Sequence, residues 1–142
     1  MLYLTSDHAG FQLKESLKKI LTERKIEFVD LGTDSEKSVD YPDFGHVLAE
    51  KVLESSENRG IGVCGSGHGI TMAANRHAGI RAARCMSEED AELARRHNDA
   101  NILVLAGRQT VVAEAEKILE KFLETEFEGG RHEERIEKIE IS

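Results

Sequence analysis

The sequence has no tryptophan, one proline and two cysteines, and it contains no long apolar run. No apolar stretch approaches the ~20 residues that a membrane-spanning helix needs, so we expect no membrane association. The N-terminal residues MLYLTSDHAG lack the basic and apolar regions of a secretory signal, which predicts a cytoplasmic protein. In such a protein, Cys64 and Cys85 are expected to be free thiols rather than a disulfide.

Positive charge is also scarce, because 19 Lys and Arg residues stand against 27 Asp and Glu residues and give a net charge of −8. Nonspecific nucleic-acid binding needs a basic face, so we expect no nucleic-acid partner. A small anionic ligand is compatible with this charge, because it needs only a local basic cluster. The C-terminal segment GGRHEERIEK offers one, with Arg131, His132 and Arg135.

The 142 residues suit a single domain, 1–142, in which short β-like runs alternate with amphipathic helical segments. The expected strands are 2–6, 26–32, 60–64, 79–85 and 101–107, and a helix is expected over 70–77. This alternation with short connections predicts an α/β protein whose five-stranded parallel sheet is covered by helices on both faces, an α/β/α sandwich. A C-terminal helical tail, about 129–142, follows as an appendage.

Parallel sheets of this kind bind ligands beyond the carboxyl ends of their strands. This rule selects two stretches of the chain. Asp7 and His8 follow the first predicted strand, and the segment CGSGHG (64–69) ends and follows the third.

The glycines of that segment do not form a nucleotide motif. Ile70 stands where the last glycine of G-x-G-x-x-G should be, and the Gly-Lys-Ser/Thr ending of a P-loop is missing. The glycines could serve only a tight strand-to-helix turn, with Cys64 as a small buried residue. Alternatively, free N–H groups in the turn favour a carboxylate, a phosphate or an enediolate, and they would suit a reactive thiolate at Cys64.

Other polar residues also have two interpretations. Asp7 could cap the first helix, and His97 could stabilise the end of the fourth one as a cation. Arg131 and Arg135 are four residues apart, so on a helix they share a face that can bind a phosphate. Pairing with the neighbouring glutamates is the alternative for both arginines.

Taken together, these segments resemble the type B ribose-5-phosphate isomerases and their relatives, the galactose- and allose-phosphate isomerases, along essentially the whole chain. The motifs that carry the resemblance are SDHAG, DYPDF, CGSGHG, AANR, GIRAA, RRHNDAN and EGGRHEERI, in that order. The resemblance implies a Rossmann-like fold, a homodimer or homotetramer, and isomerisation of a sugar phosphate without a metal or another cofactor. Ribose 5-phosphate is the expected substrate, and a six-carbon sugar phosphate is the alternative. A non-catalytic sugar-phosphate-binding module is the more distant alternative.

The resemblance also implies a role for each site residue. Cys64 would be the base that moves a proton between C1 and C2 through a cis-enediolate, and His97 would assist opening of the sugar ring. The anion hole would comprise Gly65, Ser66 with its hydroxyl, Gly67, His68 and Gly69. The sugar oxygens would contact Asp7 and Tyr41, and the phosphate would contact His8, Arg108, Arg131 and Arg135, with Asn98 nearby. His68 departs from the family pattern, in which a small or apolar residue is expected, and Cys85 is expected to be structural.

The predicted fold separates these residues into two groups. His97 and Asn98 end the fourth helix and should lie at the amino end of the sheet, whereas Cys64 and Asp7 should lie at its carboxyl end. We therefore expect His97 and Asn98 to serve the site of a neighbouring subunit, with the tail at the dimer interface. Arg108, after the fifth strand, could serve either site.

Overall fold

The computed structural model describes residues 1–141 and confirms the predicted α/β class. Five parallel strands form one sheet, in the order β2-β1-β3-β5-β4. The strands are β1 (Leu2–Ser6), β2 (Phe28–Asp30), β3 (Arg59–Cys64), β4 (Ala82–Arg84) and β5 (Ile102–Ala106). The helices are α1 (Phe11–Glu23), α2 (Tyr41–Val52), α3 (His68–Ala74), α4 (Glu88–Asn98), α5 (Val112–Glu124) and α6 (Arg131–Glu137), with a 3-10 turn at His8–Gly10. Within residues 1–141, no helix combines the length and the apolar character that crossing a membrane requires.

Separate apolar clusters cover the two faces of the sheet and produce three layers. Helices α1, α4 and α5 pack on one face, where Phe122 is fully buried. Helices α2 and α3 pack on the other face, where Leu48 and Ile70 are fully buried. Strand β5 is apolar at every position because its alternate side chains enter the two clusters.

The predicted strand bounds were too long at the sheet edges. β2 covers Phe28–Asp30 rather than 26–32, and it pairs with one neighbour only. The N–H of Ile26 instead binds the carbonyl of Leu21 at 3.0 Å and closes the end of α1. The N–H of Ile26 therefore completes the hydrogen bonds at the end of α1 and is not used in the sheet.

An ion pair between a buried lysine and a partly buried aspartate fixes the long connection between β2 and α2. The side chain of Lys14 is fully buried, and its Nζ donates to Asp30 at 2.6 Å and to the carbonyl of Thr33 at 2.7 Å. Burial alone would raise the pKa of Asp30, but hydrogen bonds from two lysines outweigh it and hold that pKa below its usual value. The connection that this pair anchors ends at Tyr41, the first residue of α2.

The connectivity of the sheet creates a crevice at its carboxyl edge. β1 and β3 are neighbours, but the helices that follow them lie on opposite faces, which is where α/β sheets bind ligands. Cys64, the last residue of β3, therefore lies between the loops that follow β1 and β5.

Candidate active site

A pocket of about 520 Å³ opens at the carboxyl ends of β1, β3 and β5. This volume falls in the range of roughly 300–1,000 Å³ that is typical of small-molecule sites. The pocket is lined by Asp7, His8, Ala9, Tyr41, Cys64, Gly65, Ser66, Gly69, Arg108 and Gln109. The prediction named all of these residues except Ala9 and Gln109, so the structure places one group of candidates around a single cavity.

Cys64 reaches the pocket from the core. Its side chain is only 4% exposed and packs in the cluster beneath α2 and α3. Its carbonyl accepts a hydrogen bond from the N–H of Gly107 at 2.7 Å, which ties the end of β3 to the end of β5. The thiol is therefore held on rigid backbone at the pocket wall.

The loop after Cys64 has unpartnered donors. Gly67 adopts a φ of 84°, a left-handed conformation that glycine accepts without a steric penalty. Among residues 1–141, the N–H groups of Gly65, Ser66 and Gly67 donate no hydrogen bond. Three such donors beside a thiol make a site that suits an anion.

His68, which the prediction placed in the anion hole, has an exposed side chain that does not line the pocket. It is the first residue of α3, and its N–H binds Ser66 Oγ at 3.3 Å. The contribution of His68 to the anion hole stays a prediction.

Asp7 caps a turn and also lines the pocket. Its carboxylate is buried, and Oδ1 accepts a hydrogen bond from the N–H of Gly10 at 3.0 Å, so Asp7 caps the 3-10 turn. His8 is held by the N–H of Val39, which donates to its Nδ1 at 3.1 Å. Because Nδ1 accepts, the proton of the neutral ring is on Nε2, which can donate to a ligand.

Two glycines make room for larger pocket residues. A Cβ on Gly69 would lie 2.4 Å from Cε1 of Tyr41, so only glycine permits this close approach. A Cβ on Gly65 would lie 3.1 Å from Nη1 of Arg108. In the described part of the chain, no carboxylate lies within 4.0 Å of the Arg108 guanidinium, which leaves its charge available to an anion.

The structure does not bring the second group of predicted residues to this pocket. His97 lies in the last turn of α4, and α6 packs against that helix. The rings of His97 and His132 stack, with centroids 4.6 Å apart and an interplanar angle of 15°. The predicted residues His97, Asn98, Arg131 and Arg135, together with Glu128 and His132, which the structure adds, form a group that we call the tail cluster.

Glu128 lies across the edges of both imidazole rings. Its two carboxylate oxygens are 3.9 Å from His97 Nε2 and 3.6 Å from His132 Nε2. His132 is only 6% exposed, and its Nε2 has no hydrogen-bond partner within residues 1–141.

The two arginines of the tail cluster are not neutralised by their neighbours. Arg131 and Arg135 lie one turn apart on α6, and both are exposed. As far as the structure describes the chain, neither guanidinium has a carboxylate within 4.0 Å. Pairing with the neighbouring glutamates is therefore not formed, and the face remains available to an anion.

Sequence reasoning missed Arg84, Gln109 and the contacts of His132. Arg84 is the last residue of β4, and its Nε donates to the carbonyl of Ser66 at 2.6 Å. The position of Arg84 could have identified it as a site residue, because a cationic side chain ends an otherwise apolar strand at the edge of the sheet where ligands bind. His132 was noted only as a neighbour of the arginines, because its stacking partner lies in another helix.

The two cysteines are expected to differ in reactivity. Burial raises the pKa of the Cys85 thiol to about 12, and its Sγ lies 3.6 Å from the carbonyl of Ala83. At pH 8 this thiol is neutral and unreactive, so iodoacetamide should modify Cys64, which faces the pocket, before Cys85. Peptide mass mapping over time checks this order, with urea-unfolded protein as the control in which both thiols react. Equal rates in the folded protein would contradict it.

Comparison with known proteins gives the context for this site. Residues 2–139 match the Ribose/Galactose Isomerase family. A crystal structure of a ribose 5-phosphate isomerase from Thermotoga maritima is 50% identical, with a TM-score of 0.95 over 97% of this chain and 95% of that one. The ribose-5-phosphate isomerase B of Mycoplasma genitalium, solved with bound ribulose-5-phosphate, is 43% identical, with a TM-score of 0.93 over 97% and 92% of the two chains. A probable ribose-5-phosphate isomerase B of Mycoplasma pneumoniae is 43% identical over 97% of this chain and 91% of its own. The chain therefore belongs to the ribose/galactose isomerase family.

Proposed function

We propose that this protein is an aldose–ketose isomerase that interconverts ribose 5-phosphate and ribulose 5-phosphate. One observation carries the proposal: the thiol of Cys64 borders the same pocket as the unpartnered N–H groups of the loop that follows it. Enediolate chemistry needs a base and oxyanion donors at one place, and this pocket offers both. The ribulose-5-phosphate bound to the Mycoplasma genitalium relative supports the substrate class.

In the proposed reaction, the thiolate of Cys64 removes the proton from C2 of the open-chain aldose. The C–H electron pair forms the C1–C2 double bond, and the carbonyl oxygen on C1 takes up the negative charge. The hydroxyl proton on O2 passes to O1, and Cys64 returns its proton to C1 to give the ketose. The loop donors and the hydroxyl of Ser66 would stabilise the enediolate, each N–H by about 3 kcal/mol as in other oxyanion holes.

The phosphate would bind at the rim of the pocket. His8 can donate from Nε2, and Arg108 carries a charge without a carboxylate partner among the described residues. Asp7 and Tyr41 line the same cavity and would contact the sugar hydroxyls. Binding energy from the remote phosphate would hold C1 and C2 against Cys64.

We further propose that the tail cluster completes the site of a neighbouring subunit. None of its residues lines the pocket of its own chain, although His97 is the candidate for ring opening and Arg131 and Arg135 for phosphate binding. Within one chain, α4 ends at the amino edge of the sheet, whereas the pocket opens at the carboxyl edge. A homodimer or homotetramer that juxtaposes the two would unite all the candidates, with Asn98 beside them.

Substrate preference tests the proposal. We expect kcat/KM for ribose 5-phosphate to exceed that for allose 6-phosphate or galactose 6-phosphate by at least about tenfold, the scale that one added group in a fitted pocket can produce. Coupled or spectroscopic assays of ketose formation measure all three. A preference for a six-carbon sugar phosphate would assign the alternative substrate, and binding without turnover of any of them would refute an isomerase.

A further inference from the structure

The guanidinium of Arg84 links the carboxyl ends of β4, β5 and β3. It ends the edge strand β4, and its side chain reaches across the end of β5 to the loop after β3. Nε donates to the carbonyl of Ser66 at 2.6 Å, and Nη2 donates to Oε1 of Gln109 at 3.4 Å. A Cβ on Gly67 would lie within 3.4 Å of Cγ, Cδ and Nε of Arg84, so this glycine lets the side chain lie directly against the loop.

The hydrogen bond to Ser66 fixes the orientation of one peptide group. In a planar trans peptide, the C=O and the following N–H point in opposite directions. The carbonyl of Ser66 is turned towards Arg84, so the N–H of Gly67 is turned away from it. Ser66 lines the pocket and Arg84 does not, which places the guanidinium on the outer side of the loop, and the free N–H of Gly67 points across the loop, away from the guanidinium.

The charge of Arg84 has no counter-ion nearby. In the part of the chain that the structure describes, no carboxylate lies within 4.0 Å of its guanidinium, and its two polar partners are a carbonyl and an amide oxygen. A cation bound to the carbonyl end of a peptide strengthens the N–H at the other end as a donor, because the bonds polarise one another.

We infer that Arg84 is a positioning residue for the isomerisation: it holds the Ser66–Gly67 peptide with its N–H directed at the enediolate oxygen. This inference rests on the proposed function. It assigns to Arg84 no contact with the substrate, so removal of its side chain should affect the transition state more than ground-state binding.

The test compares Arg84→Leu and Arg84→Lys with Arg76→Leu. Arg76 follows α3, is exposed and has no side-chain partner within residues 1–141, which makes it a matched control. We expect Arg84→Leu to lower kcat about 10- to 100-fold with KM changed less than about threefold, since a misoriented donor loses part of an oxyanion hole. Arg84→Lys, which retains a charged donor, should recover part of the loss, and Arg76→Leu should match the wild type.

Binding distinguishes positioning from a general structural role. A phosphorylated four-carbon hydroxamate, whose oxygen pair mimics the enediolate, should bind Arg84→Leu at least about tenfold more weakly than the wild type. Inorganic phosphate should bind both equally, by calorimetry. Unchanged kcat, or equal weakening of both ligands, would overturn the inference.

If Arg84→Leu fails to fold by circular dichroism, Arg84→Lys and Arg84→Gln give the same comparison. A wild type that neither isomerises ribose 5-phosphate nor binds the hydroxamate would refute the proposed function itself.

Discussion

Replacing Cys64 with alanine should abolish isomerisation while leaving the sugar phosphate bound. We expect kcat to fall by about 10³-fold or more, because the variant has no group at the pocket wall that can carry the C1–C2 proton. Asp7, a carboxylate that lines the pocket, is assigned to the sugar hydroxyls, and its Oδ1 already accepts the N–H of Gly10. Turnover of ribose 5-phosphate gives kcat, and calorimetry gives the dissociation constant, which should change less than about threefold.

Cys85→Ala is the matched control for this variant. Cys85 is as deeply buried as Cys64 but packs on the opposite face of the sheet, away from the pocket. Its removal should cost about 1 kcal/mol of unfolding free energy and leave kcat unchanged. Wild-type turnover by Cys64→Ala, or equal loss of activity in the two variants, would disprove the assignment of the base.

The fold could be predicted because its apolar pattern is regular. β5 is apolar at every position, as a strand buried on both faces must be, and helix α5 repeats its buried residues at helical spacing. Strand ends were less predictable because hydrogen bonds from outside the segment decide them. In β4, predicted at 79–85, the N–H of Arg81 binds the side chain of Asn101 at 2.8 Å, and the strand begins only at Ala82.

Helix α3 differs from its prediction for a similar reason. It was expected over 70–77 and covers His68–Ala74. The left-handed conformation of Gly67 starts the helix earlier than the apolar pattern indicates, and Asn75 ends it by exchanging two hydrogen bonds with the backbone of Ala82. One boundary depends on backbone conformation and the other on a distant segment. The apolar periodicity of the sequence gives no information about either.

The pocket itself was largely predictable from one rule. Residues at the carboxyl ends of neighbouring parallel strands must meet, so Asp7 and Cys64 could be placed together without coordinates, whereas Arg108 was left open between two sites. The rule does not say which strands are neighbours. β4, which ends at Arg84, is the next strand after β3 in the sequence, but β5 lies between these two strands in the sheet. Only a long side chain can reach across β5 from Arg84 to the loop after Cys64.

The candidate catalytic residues are divided between the pocket and the tail cluster. Mixing two inactive variants tests whether one site takes residues from two subunits. Cys64→Ala should lose about 10³-fold or more in kcat, and His97→Asn should lose about 10²- to 10⁴-fold, the usual contribution of an acid–base group. Suppose that each site combines Cys64 of one subunit with His97 of the other. A dimer with one subunit of each variant then has both substitutions in one site, and its second site is intact. With random exchange of subunits, half of the dimers are mixed, so about one quarter of the wild-type activity should return.

A second mixture gives the matched control, because it carries the same substitutions in a different arrangement. The double variant Cys64→Ala/His97→Asn is mixed with an equal amount of wild type. If sites are shared, every mixed dimer is inactive and about one quarter of the activity remains, whereas sites confined to one chain would leave about one half. Recovery in the first mixture together with one quarter in the second requires a shared site. No recovery in the first and one half in the second would place His97 in the site of its own chain, against the positions of α4 and the pocket at opposite edges of the sheet.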